Sequence, residues 1–170
     1  AGQVVDFETV GAFTATSQDK DHPFYLGQIM TGCNTPGANG LGDEEFVNIL
    51  PPDQFLKKYV FFTDPTYPNT NLAVVRKKSE DGFKDVTLKC AGVISGWQPV
   101  GSSGQYEITH VDIVKGGQGV SGCNNGPQQA SSEGTFGLMV WGLDNYSSYA
   151  YPAGGSVAAI NTVVIPPIPK

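Results

Sequence analysis

The chain has 170 residues, a length that suits one domain able to bury about two-thirds of its unfolded surface. Its formal net charge is −6 at pH 7 and its isoelectric point is near 4.7, so we expect no nucleic acid partner and no anionic membrane partner. No apolar stretch approaches the roughly 20 residues that a membrane-spanning helix needs, and we therefore expect no membrane insertion.

Glycine and proline indicate the fold class. The 22 glycines and 12 prolines are scattered among β-branched and aromatic runs, and charged residues make up only 15% of the chain. This distribution predicts many short strands joined by tight turns, and hence an all-β, antiparallel β-sandwich of the jelly-roll or immunoglobulin-like type. We expect one domain with long glycine-rich loops at 35–42, 101–104 and 116–126, which are too polar to pack.

Alternating apolar residues and turn signals predict a series of short strands. In chain order they cover residues 4–16, 24–30, 59–63, 72–77, 86–90, 106–114, 135–142 and 158–165. One helical turn is expected at 52–58, where Pro52 suits a first turn. The β-sandwich domain then spans 1–165. Prolines at 166, 167 and 169 mark the start of a proline-rich linker at 166–170, as expected for one part of a larger multidomain chain.

The segment 135–155, TFGLMVWGLDNYSSYAYPAGG, is the most informative part of the chain. Residues 136–141 carry apolar groups on both faces of a predicted strand, so this strand should be central and covered on both sides. Gly142 then breaks the run, and Asp144 and Asn145 supply turn chemistry. A tyrosine-rich extended segment follows, so the pattern predicts a strand, a turn and a second strand.

This segment and four others resemble a known family. The others are PPDQFLKKYVFFTDPTY at 51–67, SQDKDHPFYLGQIMT at 17–31, KCAG at 89–92 and GCNNG at 122–126. Together they resemble the IgG Fc-binding protein N-terminal domain family, and its bacterial surface-protein branch more closely. The resemblance implies a non-enzymatic, mostly extracellular β module. The matched residues are largely strand and turn positions, so the resemblance gives little reason to expect antibody binding.

Three cysteines are an odd number, which leaves their pairing open. Cys90 ends a predicted strand, Cys123 lies in a glycine- and asparagine-rich turn, and the two belong to the paired cysteine segments of the resemblance. A disulfide between them would fasten the 116–126 loop to the sheet and contribute about 3–4 kcal/mol in the chain-entropy account. Cys33 is then free, or it is the true partner of one of the other two. Three reduced thiols in a cytosolic protein are the remaining alternative.

The residues available for catalysis are few, and we expect no enzyme activity. His22 lies in a turn beside acidic residues. His110 lies in mid-strand, where Asp112 on the same face gives either an acid–base pair or an ordinary polar face. Ser121 does not fit the nucleophile-elbow pattern, because Cys123 stands where a glycine is needed.

We also expect no cofactor and no metal centre, since the cysteines and histidines lack the spacing of metal ligands. Structural calcium stays open at three acidic loops, although none has the regular spacing of a known calcium loop. The acidic residues of these loops are Asp19 and Asp21, then Asp43, Glu44 and Glu45, and then Glu80 and Asp81.

Recognition is the remaining type of function. The candidate binding residues are aromatic side chains beside turns, which serve both sugar stacking and protein hot spots: Trp97, Tyr146, Tyr149 and Tyr151. The alternative is that Trp97 and at least two of the tyrosines pack in the core or across strands.

We therefore predict a binding or adhesion module of a secreted or cell-surface protein, with a partner that is a protein or a glycan on a cell or matrix surface. A carbohydrate-binding domain of a larger enzyme and a structural spacer in a surface fibre are the alternative functions.

Overall fold

A computed structural model describes residues 2–157, and within them the chain is all-β and antiparallel, as predicted. The strands of this range are β1 (Gly27–Ile29), β2 (Phe46–Asn48), β3 (Leu56–Thr63), β4 (Asn69–Lys77), β5 (Val86–Leu88), β6 (Gly92–Val93), β7 (Gln98–Val100), β8 (Tyr106–Lys115), β9 (Gln118–Gly119), β10 (Gly126–Asp144) and β11 (Ser147–Pro152). One 3-10 turn, Pro52–Gln54, precedes β3. Strands β1 and β2 form a small sheet of their own, and the others form one larger sheet.

The long strand β10 organises the larger sheet. Its first half lies between β3 and β5, with Ala130 opposite both Tyr59 and Leu88. Its second half lies between β4 and β11, with Met139 opposite both Ala73 and Pro152. The pairing with β3 is irregular between Ser131 and Phe136, where the two halves meet. Beyond β4 the order continues through β8 to β7.

One core fills the space enclosed by this curled, sandwich-like sheet. Phe136 and Val140 of β10 have no exposed surface, and Leu72 of β4 is 1% exposed. Alternate residues of each strand face this core, because successive side chains of a strand point to opposite faces. Trp141 lies on the opposite face of β10 and is only 8% exposed. The expectation that this strand is central and covered on both sides is confirmed.

Most predicted strands overlap observed ones. The predictions at 24–30, 59–63, 72–77, 86–90 and 106–114 overlap β1, β3, β4, β5 and β8, and the expected hairpin partner is β11. The prediction at 135–142 covers only the second half of β10, whose first half the sequence patterns did not indicate. The sequence patterns did not indicate β2, β6, β7 and β9, which have only two or three residues each. A run this short is too brief to establish a period of two.

The predicted strand at 4–16 is wrong, because these residues pair with no other strand and have no regular secondary structure. Val4, Val5 and Val10 are largely exposed, and Phe7 contacts Phe13 edge-on at 5.1 Å between ring centroids. An alternating pattern shows that the side chains of a segment would suit a sheet. The segment forms a strand only where a neighbouring strand supplies partners for its backbone hydrogen bonds.

Two further expectations are corrected. The helical turn is shorter than 52–58, because Phe55 already has an extended backbone and β3 begins at Leu56. The 116–126 loop packs in part, since β9 pairs with β8 within it and Cys123 is only 1% exposed, while most of its other residues are exposed. The predicted strand at 158–165 and the linker at 166–170 lie outside the described residues.

Candidate functional site

Trp97 precedes β7, which three strands separate from β11 in the larger sheet, and its ring packs against an arginine. The centre of its ring is 4.2 Å from Arg76 Cζ, and the ring of Phe83 is 5.1 Å from the same atom. Arg76 Nη2 and Nε both donate to Glu107 Oε2, at 2.6 Å and 2.8 Å. The Arg76 side chain is 13% exposed, so Trp97 helps to enclose a partly buried ion pair.

Tyr149 and Tyr151 of β11 cross from their own strand to the free edge of β3. Strand β3 pairs only with β10 within the described residues, so its other edge presents unpaired backbone groups. The Tyr149 hydroxyl accepts a hydrogen bond from Asp64 N at 2.9 Å, and the Tyr151 hydroxyl accepts one from Phe62 N at 3.2 Å. The Tyr151 hydroxyl also donates to the Phe62 carbonyl. Both rings pack against the core, so these two tyrosines close the edge of the sheet.

An open cleft of about 380 Å³ lies where these side chains meet β3. We call it the aromatic cleft, and it is lined by Phe62, Asp64, Tyr67, Tyr149 and Tyr151. Tyr149 and Tyr151 are stacked, with 6.3 Å between ring centroids and 23° between planes. Tyr67 meets Tyr149 edge-on at 4.8 Å, and its hydroxyl lies 2.8 Å from Ser147 Oγ.

The electrostatics of the aromatic cleft follow from these contacts. Burial raises the pKa of Tyr149 and of Tyr151, so both hydroxyls stay neutral at physiological pH. Hydrogen bonds from the hydroxyl and the N–H of Thr66 hold the pKa of Asp64 below its usual value. The cleft therefore combines neutral aromatic rings with one carboxylate at its rim.

Gly142 makes room for this arrangement. It lies directly opposite Tyr149 across the β10–β11 pair, and a Cβ at position 142 would overlap the Tyr149 ring. An aromatic ring that packs across strands over a glycine covers the glycine backbone. A larger residue at that position would displace the ring. The glycine that breaks the apolar run in the sequence is thus the residue that positions a tyrosine.

Tyr146 is the one predicted binding residue with a largely free side chain, which is 67% exposed at the hairpin tip. Its backbone has φ of +51°, a conformation that residues other than Gly, Asn and Asp seldom adopt. Tyr146 N donates to Gly40 O at 2.9 Å, and Asn145 pairs with Leu41, so the tip is fixed against the 35–42 loop. A bulky exposed residue held in this way is a candidate for a contact with a partner.

The predicted disulfide is confirmed. Cys90 and Cys123 are bonded, with 4.9 Å between their Cα atoms, and they join the turn after β5 to the loop before β10. Cys33 is free and buried, which settles the alternative pairings. A disulfide of this kind is consistent with an oxidising, extracellular setting.

The remaining predicted chemistry has ordinary partners. His22 Nδ1 lies 2.6 Å from Asp19 Oδ1 on the surface, and Asp112 Oδ2 lies 3.7 Å from Lys115 Nζ. Asp81 pairs with Lys84. Between residues 2 and 157, no three His, Cys, Asp or Glu side chains converge as metal ligands would. Over the same range no helix has the length and apolar character that a bilayer requires.

Sequence reasoning found Tyr149 and Tyr151 but not their neighbours in the aromatic cleft, Phe62, Asp64 and Tyr67. The available signal was the run LKKYVFFTDPTY, in which Phe62 has the outward parity of a strand next to a turn. Trp97 belongs to another part of the sheet, since β10, β4 and β8 separate β11 from β7.

The fold is that of a disulfide-bonded, all-β module with an aromatic cleft on its surface. A profile of the IgGFc binding protein family matches residues 1–142, and the chain belongs to this family. Membership indicates a binding module, and the bacterial branch stays a prediction. Neither a curated protein nor a solved structure gives a significant match to the chain.

Proposed function

We propose that the domain is a non-enzymatic recognition module of an extracellular or cell-surface protein, and that it attaches to a protein or glycan on a cell or matrix surface. The aromatic cleft is the observation that carries this proposal. Phe62 lines this cleft and exposes 53% of its surface, and the stacked rings of Tyr149 and Tyr151 line the same cleft. Family membership and the Cys90–Cys123 disulfide support the binding role and the extracellular setting.

The chemistry of the aromatic cleft suits recognition rather than bond breaking. Aromatic faces bind the apolar side of a sugar ring or a peptide side chain, and the Asp64 carboxylate can accept hydrogen bonds from hydroxyl or amide groups. The tyrosine hydroxyls already bind the β3 backbone, Asp64 and Phe62. They hold the cleft in shape, which lowers the entropy lost on binding.

Phe62 is the residue to change in a test of this cleft. Only its backbone N–H and carbonyl bind Tyr151, so Phe62→Ser removes the exposed ring and leaves the edge hydrogen bonds in place. Phe46→Ser is the matched control, because Phe46 is a similarly exposed phenylalanine, at 61%, on the smaller sheet. Tyr146→Ala tests the hairpin tip separately.

The test measures binding of the purified, oxidised chain to a glycan array, to intact cells and to IgG Fc, the ligand in the family's name. We expect binding to at least one of these that Phe62→Ser weakens and Phe46→Ser preserves, with both variants folded by circular dichroism. Loss of binding in Phe46→Ser alone would indicate that the binding site lies on the smaller sheet. A folded chain that binds none of the three classes would overturn the proposal in favour of a structural spacer.

A further inference from the structure

A second cleft, of about 370 Å³, lies on the outer face of β3, β10 and β5. Its outward side chains are polar or basic except for one valine, and they are Lys58, Val60, Thr87, Lys89, Gln129 and Ser131. Strand pairing fixes their positions, because Ser131 stands between Lys58 and Thr87. Gln129 stands opposite Val60, and its carbonyl accepts a hydrogen bond from Lys89 N at 2.9 Å. We call this surface the lysine face.

The residues that line the lysine face carry two positive charges and no negative charge, and the nearest acidic residue of β10 is the exposed Glu133, two residues beyond Ser131. Lys58 and Lys89 are exposed and, among residues 2–157, neither has a carboxylate within ion-pair distance. Four other basic residues do have such partners: Arg76, Lys77, Lys84 and Lys115. Of the remaining described lysines, Lys20, Lys57 and Lys78 also lack an ion pair, but they do not line this cleft. None of the described residues that line the cleft is acidic, although the chain carries a formal charge of −6.

The two lysines stand on either side of a hydroxyl- and amide-bearing strand. Two strand spacings and one two-residue step separate their Cα atoms by about 12 Å in ideal sheet geometry. Lysine side chains are long enough to reach over the strand between them, where Ser131 and Gln129 can both donate and accept hydrogen bonds, as can Thr87 on the neighbouring β5. Val60, 76% exposed, adds an apolar contact.

We infer that the lysine face binds a linear anionic polysaccharide, whose acidic groups pair with Lys58 and Lys89 and whose hydroxyls meet the strand between them. Charge complementarity selects an anionic partner. Side chains that donate and accept at once suit sugar hydroxyls. Phe62 follows Lys58 and Val60 on the same face of β3, so the aromatic cleft continues this surface. The inference rests on the proposed recognition function and names the class of its partner.

The test uses the intact chain and three polymers: dextran sulfate, uncharged dextran and polyglutamate. The variant is Lys58→Gln with Lys89→Gln, and the control is Lys57→Gln with Lys20→Gln, which removes the same charge elsewhere. Lys57 is exposed and adjacent to Lys58, but it points to the opposite side of β3. Affinity is measured by isothermal calorimetry at low and at physiological salt.

We expect the wild-type chain and the control to bind dextran sulfate with an affinity that falls as salt is added, and the Lys58/Lys89 variant to bind about tenfold or more weakly. Equal binding by variant and control, equal binding of dextran, or no binding of dextran sulfate would each overturn the inference. Equal, lysine-dependent binding of polyglutamate would also overturn it and indicate an acidic protein partner. If the polymer-binding results overturn the inference while Phe62→Ser still weakens attachment to cells or glycans, the proposed function stands without this partner.

Discussion

Tyr151 and Phe62 are joined by two hydrogen bonds through one hydroxyl, which accepts from the Phe62 N–H at 3.2 Å and donates to the Phe62 carbonyl. A single side chain thus satisfies both backbone groups of a residue at the edge of a sheet. An unprotected edge of this kind is a template for pairing with another chain. Tyr151 and Phe62 both line the aromatic cleft, so the contact that protects the edge of β3 also lies at this cleft.

Tyr151→Phe should free the edge of β3. Water can replace the lost bonds at this exposed position, so we expect a decrease of about 0.5–1.5 kcal/mol in the free energy of unfolding, measured in urea. Size-exclusion chromatography at rising concentration should show more self-association than the wild type. Tyr25→Phe is the control, because the Tyr25 hydroxyl binds Asn48 on the smaller sheet. Unchanged stability and unchanged mass would contradict this account of Tyr151.

Gly142→Ala should displace Tyr149, because the new Cβ would occupy the space of the ring. We expect a loss of about 1–3 kcal/mol of stability, as for other overpacking substitutions. Hydrogen exchange at the Asp64 amide should accelerate, since this N–H donates to the Tyr149 hydroxyl. Gly11→Ala serves as control, as a Cβ there meets nothing within 4 Å. If the Asp64 amide stays protected, Tyr149 has not moved.

Removal of the disulfide by Cys90→Ala with Cys123→Ala should lower the free energy of unfolding by about 3–4 kcal/mol, because the unfolded chain regains the freedom of the closed loop. Reductant should lower the stability of the wild type and leave the double variant unaffected. Cys33→Ser should keep the response to reductant, since Cys33 takes no part in the bond. A wild type insensitive to reductant would contradict this prediction.

Alkaline pH should destabilise the fold through its buried tyrosines. Burial raises the pKa of Tyr59, Tyr149 and Tyr151. In the unfolded chain these phenols ionise near pH 10, so above that pH the unfolded state loses protons that the folded state retains. The stabilisation is present in full below about pH 10 and decreases as the pH rises toward the folded pKa values. Thermal unfolding from about pH 8 to about pH 11, with tyrosinate absorbance, measures this decrease. A decrease just as steep in the Tyr149→Phe, Tyr151→Phe variant would assign it to other groups.

Local patterns predicted those parts of the fold whose signals are local. The alternation in 72–77 and 135–142 was enough to place β4 and the second half of β10, because a strand with one buried face has apolar side chains at every second position. The same alternation at 4–16 led to a wrong strand, because no pattern within a segment states whether another strand lies beside it. The disulfide was predicted with help from the family resemblance and could not have been chosen from spacing alone.

The sequence by itself determined the all-β class, the central position of β10, the hairpin into β11 and the acidic character of the surface. Only the tertiary structure decided what the aromatic residues do. It directed Tyr149 and Tyr151 to the edge of β3, placed Trp97 against Arg76 and left Tyr146 exposed. It also brought Lys58 and Lys89 together across β10. Each of these outcomes depends on the register between strands far apart in the chain, and register is set by the packing of the whole core.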